Sequence, residues 1–188
     1  MNLTKAEHLA NSLVEQMRPF CVRCEIAGSI RRRKEEVKDI EIVAVAEWEL
    51  EKYDLFAEAK VNKLFRWAVS CAYVRWIKPG TSEIINWQPQ PTGKYWRGLL
   101  PSGIKLDLFI ADYSNFGLIY AIRTGSAEFT TALVTHAKRV GLPCVDGHLT
   151  RDGKPLETPE EGDVFDLLGL EHVAPHERIT YSSLRVRC

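Results

Sequence analysis

The chain has 188 residues, 45% hydrophobic and 27% charged, with 25 basic residues balanced by 25 acidic ones. This composition excludes disorder, collagen and coiled coil, and it suits one domain or two small subdomains sharing a core. No apolar run approaches the roughly 18 residues of a membrane span, and zero net charge excludes a generally basic nucleic-acid coat, so phosphate binding falls to local clusters.

Thr4-x-x-Glu7 reads as a capping box opening a helix whose apolar face is Ala6, Ala10, Leu13, Val14 and Met17. A strand follows over 23–27, then a Gly28-Ser29 turn and a basic loop over 31–34. Residues 37–46 alternate and are rich in β-branched side chains, which predicts a strand. Residues 54–69 carry helical spacing in Leu55, Phe56, Ala59, Leu64, Phe65 and Ala68. From 72 to 111 the pattern is β, with strands expected over 73–77, 83–87, 95–99 and 104–110, split by Pro- and Gly-containing turns.

A boundary is expected near 112–115, followed by helices over 116–122 and 126–140, the second stopped by Gly141. Short strands follow around 143–145 and 148–150. The last helix is expected with Thr158 as cap, Pro159 at its first position and Gly169 behind it. This order is α+β rather than alternating βαβ. The five cysteines are odd in number and scattered, and no export segment opens the chain, so reduced thiols in a cytoplasmic setting are expected. Cys21 and Cys24 form a lone CxxC without further ligands at zinc spacing, and the five histidines show no ligand spacing either.

The chemistry gathers around three carboxylates. Side chains two apart in a strand share a face, so Asp39 and Glu41 project together while Ile40 and Ile42 face the core. Asp107 is an acid in the otherwise apolar run Leu106-Asp107-Leu108-Phe109-Ile110. Pairing the two strands would crowd three carboxylates on one face, which repel unless cations sit between them. Mg²⁺ accepts such ligands together with phosphate oxygens, and two ions so bridged clamp an in-line phosphoryl or nucleotidyl transfer. Eleven residues before Asp39, Gly28 allows close backbone approach, and Ser29 with neighbouring N–H groups can hold a triphosphate. Arg31, Arg32 and Arg33 follow and can neutralise its charge.

In this pattern the chain resembles the nucleotidyltransferase superfamily, and within it the family X DNA polymerases, the polymerase β relatives. The resemblance rests on Ala27-Gly28-Ser29-Ile30-Arg31-Arg32, Asp39-Ile40-Glu41, Leu106-Asp107-Leu108, Thr124-Gly125-Ser126-Ala127-Glu128-Phe129 and the block from Thr158 to Leu170. It implies a nucleotidyltransferase palm over 1–112, a mixed sheet with flanking helices, and a small α/β nucleotide-binding subdomain over 113–188. The resemblance implies a reduced plan like that of small viral members, expected to be without the lyase and helix-hairpin-helix regions of larger ones. The resemblance assigns Asp39, Glu41 and Asp107 to two Mg²⁺ ions, with Mn²⁺ able to substitute. It assigns Gly28, Ser29 and Arg32 to the triphosphate and Arg123, Thr124, Gly125 and Ser126 to the incoming nucleotide, and it implies a cis peptide between Gly125 and Ser126. Departures are Glu41 where polymerases of this family usually carry Asp, Ile122-Arg123 in place of an aromatic pair, and Thr130 in place of an asparagine that reads the minor-groove edge.

The implied activity is metal-dependent addition of dNTPs to a primer 3′-hydroxyl, as in gap-filling repair synthesis, on primer–template or gapped DNA. The chain is expected to act as a monomer away from membranes, in the cytoplasm or at the nucleoid. A template-independent transferase acting on RNA or protein, and a non-catalytic nucleic-acid-binding subunit, are the competing readings. Aromatic side chains interleaved with basic ones make Lys94, Tyr95, Trp96 and Arg97, in a loop expected to be exposed over 88–97, the candidate DNA contact.

Overall fold

The computed structural model describes residues 1–52, 58–78 and 89–187. Helix α1 (Leu3–Met17) buries Ala6, Ala10, Leu13, Val14 and Met17, the apolar face expected from the spacing. Its cap is not Thr4. Asn2 stands just outside the helix in extended backbone, and its side chain accepts the Lys5 N–H at 3.0 Å. Thr4 already lies inside the first turn, where a cap cannot act.

Strand β1 (Cys21–Ile26) leads into α2 (Gly28–Arg31), a single helical turn where a simple turn was expected. Next come β2 (Asp39–Ala46), β3 (Trp48–Lys52) and β4 (Glu58–Asn62). Helix α3 covers Lys63–Ser70, so the helix expected over 54–69 is corrected over 58–62, and its first residues, 54–57, lie outside the described residues. Residues 58–62 pair antiparallel with β3 instead, with Leu50 opposite Lys60. Asn62 then stops the strand and starts the helix, its Oδ1 accepting the Phe65 N–H at 3.0 Å. Strands β5 (Arg75–Ile77), β6 (Tyr95–Leu99) and β7 (Lys105–Ala111) complete the first half. The strand expected over 83–87, with Trp87 and Gln88, lies outside the described residues.

The main sheet has the order β1-β2-β7-β6-β5. Only β2 and β7 run parallel; the other neighbours are antiparallel. These two central strands are buried on both faces, which explains their nearly continuous apolar runs. On one face Ile40, Ile42, Ala44, Leu106 and Leu108 pack under α1 and α3, together with the mutually edge-on Trp76 and Trp96. On the other face Val43, Val45, Phe109 and Ala111 pack under Phe116 and Tyr120. Asp39, Glu41 and Asp107 share this second face, at the amino-terminal ends of their strands.

Phe116 and Tyr120 belong to α4 (Phe116–Thr124), which is followed by α5 (Ala127–Arg139). A small sheet of β8 (Cys144–Val145), β9 (His148–Arg151) and β10 (Lys154–Pro155) comes next, and then α6 (Glu161–Leu167). These elements close a second core around Leu118, Phe129, Leu133, Leu149 and Phe165. The fold is thus α+β, a mixed sheet with flanking helices and a small α/β unit behind it. The cap of α6 is Glu160 rather than Thr158, with the Glu160 N–H held by Asp163 at 2.8 Å. The Thr158 backbone has another task, bonding Ser114 and the Gly117 N–H at the start of α4.

Candidate active site

Parallel pairing of β2 with β7 sets Glu41 opposite Asp107 and Asp39 opposite Lys105. Crowding of like charge is visible in the acidities. Burial, aided by Asp39 and Asp107, pushes the Glu41 carboxyl up to about 7. Burial and Asp107 push Asp39 up as well, against the pull of Arg97, Lys105 and Arg32. Asp107 differs from both. Antiparallel β6 sets Arg97 opposite it, and the guanidinium donates from Nε to Oδ1 at 2.6 Å and from Nη2 to Oδ2 at 2.8 Å. The Tyr95 hydroxyl donates to Oδ1 at 2.7 Å. Burial, helped by this bond, raises the Tyr95 phenol above its ordinary range.

Glu41 and Gly28 explain one another. Gly28 has φ +62°, and a Cβ there would fall 1.9 Å from Glu41 Oε2. The glycine therefore supplies both the left-handed backbone and the space for the carboxylate. The Ala27 N–H bonds the Glu41 carbonyl at 2.8 Å and fixes the turn against the strand. Two polar atoms at this turn, Ser29 Oγ and Arg32 Nε, are buried without a hydrogen-bond partner. Such orphans are uncommon in native proteins and call for an explanation, of which a bound polar group is one.

The three arginines after Ser29 divide. Arg31 is not available to a triphosphate: it donates to Thr124 Oγ1 at 2.7 Å and to both Glu161 oxygens at 2.6 Å, and stacks over the Tyr120 ring at 3.7 Å. Arg32 reaches the carbonyls of Thr124 and, at 3.1 Å, Gly125. Burial lowers its pKa, against the pull of Glu41 and Asp39. Arg33 is exposed.

The Thr124-Gly125-Ser126 segment therefore meets Arg31 and Arg32 across the two cores. Thr124 is fully buried with its oxygens engaged, so it positions these arginines and does not face a nucleotide. Ser126 caps α5, accepting the Phe129 N–H at 3.1 Å. The Gly125–Ser126 peptide is trans, which corrects the implied cis bond. Arg123 does not point into solvent; its guanidinium lies 3.9 Å over the Phe109 ring, where Glu41 and Asp107 attract it. Thr130 Oγ1 donates to the Ile122 carbonyl at 2.9 Å.

The expected DNA-contact segment is corrected. Residues 95–97 are in a central part of the sheet, not an exposed loop, and Trp96 is 0% exposed, packed edge-on against Phe65 and Trp76. Tyr95 and Arg97 point the other way, at Asp107. Lys94 alone is exposed. The period-two alternation Tyr95-Trp96-Arg97 already encodes this split, with one side chain in the core and two on the acidic face. No local pattern singles out Glu161 and Arg178, whose buried pair, with Nη1 donating to Oε1 at 2.6 Å, lies beside Arg31.

Among the described residues no group of three or more His, Cys, Asp or Glu side chains is arranged to hold a metal ion. The donor chemistry nonetheless fits a hard divalent cation, since three carboxylates lie together on adjacent strands, burial and neighbouring carboxylates hold Asp39 and Glu41 above their ordinary pKa values, and a buried hydroxyl lies orphaned at the adjoining turn. Asp107 is the member drawn away, towards Arg97 and Tyr95.

A family model described as DNA polymerase beta thumb matches residues 119–179. DNA polymerase lambda of Rattus norvegicus is 34% identical over 86 residues, which is 39% of this chain and 15% of that relative's length. The chain is family X polymerase-like, and the segment that carries α4 to α6 is of the polymerase β thumb type.

Proposed function

We propose that this family X polymerase-like chain is a metal-dependent nucleotidyltransferase that adds dNTPs to a primer 3′-hydroxyl, a DNA polymerase suited to filling gaps in a cytoplasmic or nucleoid setting. The observation that carries this reading is the union of two parts: three carboxylates on one face of paired strands β2 and β7, and the Gly28-Ser29 turn built against Glu41 with its orphaned Ser29 Oγ. Residues 1–112 serve as the palm and 113–188 as the nucleotide-binding subdomain.

Two Mg²⁺ ions held by Asp39, Glu41 and Asp107, or Mn²⁺ in their place, would stabilise the attacking and leaving oxygens of an in-line displacement. Asp107 accepts the proton of the primer hydroxyl. Ser29 and Arg32 hold the triphosphate oxygens through charge-assisted hydrogen bonds, with Gly28 keeping the backbone close. Gly125, Ser126 and Arg123 border the nucleotide from the thumb side, and Arg123 balances the negative charge of Glu41.

Primer extension with and without a template strand tests the proposal. A correct dNTP should be added to a primed template in the presence of Mg²⁺, with pyrophosphate released. Extension without template would move the chain to the template-independent class. Binding of gapped duplex with no addition in Mg²⁺ or Mn²⁺ would make it a non-catalytic nucleic-acid subunit.

A further inference from the structure

Asp107 is spoken for. Its side chain is only 6% exposed, covered by the Arg97 fork and the Tyr95 hydroxyl. A carboxylate oxygen offers two lone-pair sites. Both sites of Oδ1 are taken, by Arg97 Nε and Tyr95 Oη, and one site of Oδ2 is taken by Arg97 Nη2. Asp39 and Glu41 have no such partner; among the described residues nothing donates a hydrogen bond to either carboxylate. The three carboxylates thus divide into two that have cations nearby but no hydrogen-bonded partner, and one that is paired and hydrogen-bonded.

The Arg97 side chain is 28% exposed, on a flexible stem, with solvent on one side of it. Its guanidinium also pulls on Asp39. Charge-assisted, bidentate pairs of this sort are the strong members of their class, so any competitor for Asp107 must first break one.

Resting on the reading of this face as a two-metal site, we propose that Arg97 is a positioning residue that latches Asp107: the guanidinium occupies the carboxylate that would complete the metal site, and Asp107 becomes a ligand only when Arg97 releases it. Arg97 therefore sets the concentration of divalent cation at which the site fills. In the latched state the chain keeps a partial donor set, Asp39 and Glu41. In the released state the donor set is whole and the guanidinium is left as a free cation at the rim.

The test measures metal binding by the full chain without nucleotide or DNA, following free Mn²⁺ by electron paramagnetic resonance. Arg97→Gln should bind Mn²⁺ on the order of tenfold tighter than wild type, because no charged pair has to be broken first. Arg97→Lys keeps the charge and loses the fork, and should fall between the two. Adding Asp107→Asn to Arg97→Gln should erase the gain. In wild type, the ¹H–¹⁵N signal of the Arg97 Nε–H, assigned by its loss in Arg97→Lys, should shift as Mg²⁺ is titrated, with the midpoint of metal binding.

If Arg97→Gln binds Mn²⁺ no tighter than wild type while Glu41→Gln binds it more weakly, the latch is wrong and the metal site stands. If neither Glu41→Gln nor Asp107→Asn lowers Mn²⁺ affinity, the metal-dependent reading fails and the latch fails with it. Should Arg97→Gln not fold, the wild-type titration decides: an Nε–H signal unmoved at saturating Mg²⁺ overturns the latch.

Discussion

Two glutamates, Glu41 and Glu161, are both largely removed from water, and their surroundings treat them in opposite ways. Glu41 sits beside Asp39 and Asp107 with no donor on its carboxylate, and burial with these neighbours pushes it up to about 7. Glu161 is gripped by two guanidiniums. Arg31 donates to both its oxygens at 2.6 Å, and Arg178 donates to them at 2.6 and 3.3 Å. Burial pushes Glu161 up as well, but the bonds and charges of Arg31 and Arg178 outweigh it and leave the carboxyl below its ordinary value. The Glu161 cluster joins α2 of the first core to α6 of the second with an excess of positive charge. The Glu41 cluster has cations nearby, Arg32 and Arg123 among them, but none donates a hydrogen bond to Glu41. A buried carboxylate that is fully satisfied serves the fold, and one left with repulsion serves chemistry.

The largest expected effect falls on the acidic face. Asp107→Asn keeps volume and removes one charge from the donor set. Single-turnover nucleotide addition should drop by about a thousandfold or more, roughly 4 kcal/mol of barrier. The melting temperature should stay close to wild type, since the abandoned Arg97 can reach solvent. Wild-type-like turnover would remove Asp107 from the site.

On the satisfied side, Glu161→Gln leaves two arginines facing each other, and Arg178 is 0% exposed. The loss should be about 3–5 kcal/mol in urea unfolding, the usual consequence of stripping one partner from a buried pair. The same contact makes stability depend on pH. Because the folded pKa of Glu161 is depressed, its contribution is complete above the ordinary value near 4.5 and is lost as pH falls through the lower folded value. Wild type should therefore lose stability on acidification in that window, and Glu161→Gln should lose less. Parallel acid-stability curves for the two proteins would contradict the clamp. Glu41→Gln should do the reverse of Glu161→Gln. In the metal-free protein with EDTA present, removing one of three crowded charges should add about 1 kcal/mol of stability. A loss of that size instead would mean that Glu41 has a stabilising partner.

Much of the acidic face is legible in the chain. The alternation Asp39-Ile40-Glu41-Ile42 puts the isoleucines in the core because a strand has period two, and Asp107 stands out because every neighbour is apolar. What the chain does not announce is who answers those charges. Arg97 meets Asp107 through the register of β6 on β7, and Arg31 and Arg178 converge on Glu161 from 130 and 17 residues away. Such pairings depend on tertiary closure, which local pattern does not carry. Local competition explains the smaller misreadings. Asn2 outcompetes Thr4, and Asn62 starts its helix beyond Ala59, because a cap with the right backbone decides where a helix begins.

The comparison also has a control at the same junction, with the same chemistry at the surface. Arg23 of β1 grips Glu160, the cap of α6, with Nη1 to Oε1 at 2.6 Å and Nη2 to Oε2 at 2.9 Å, and lies 4.0 Å over the Phe116 ring. The geometry is as good as that of the Arg31–Glu161 pair one residue further along. The solvent differs, since the Glu160 side chain is 60% exposed. In water the gain from such a pair is small and screened by salt, to a Debye length of about 3 Å at 1 M against about 10 Å at 0.1 M. A double-mutant cycle with Arg23→Met and Glu160→Gln should therefore give a coupling of about 0.5 kcal/mol at low salt, falling towards zero at 1 M. Methionine keeps the stem packed on Phe116, so the cycle isolates the charge. The loss in Glu161→Gln should persist at both salt concentrations, because its partners are removed from the ionic atmosphere. If the Arg23–Glu160 coupling proves as large as the clamp and indifferent to salt, burial is not what separates the two pairs, and good bidentate geometry alone suffices to hold the thumb-type segment on the sheet.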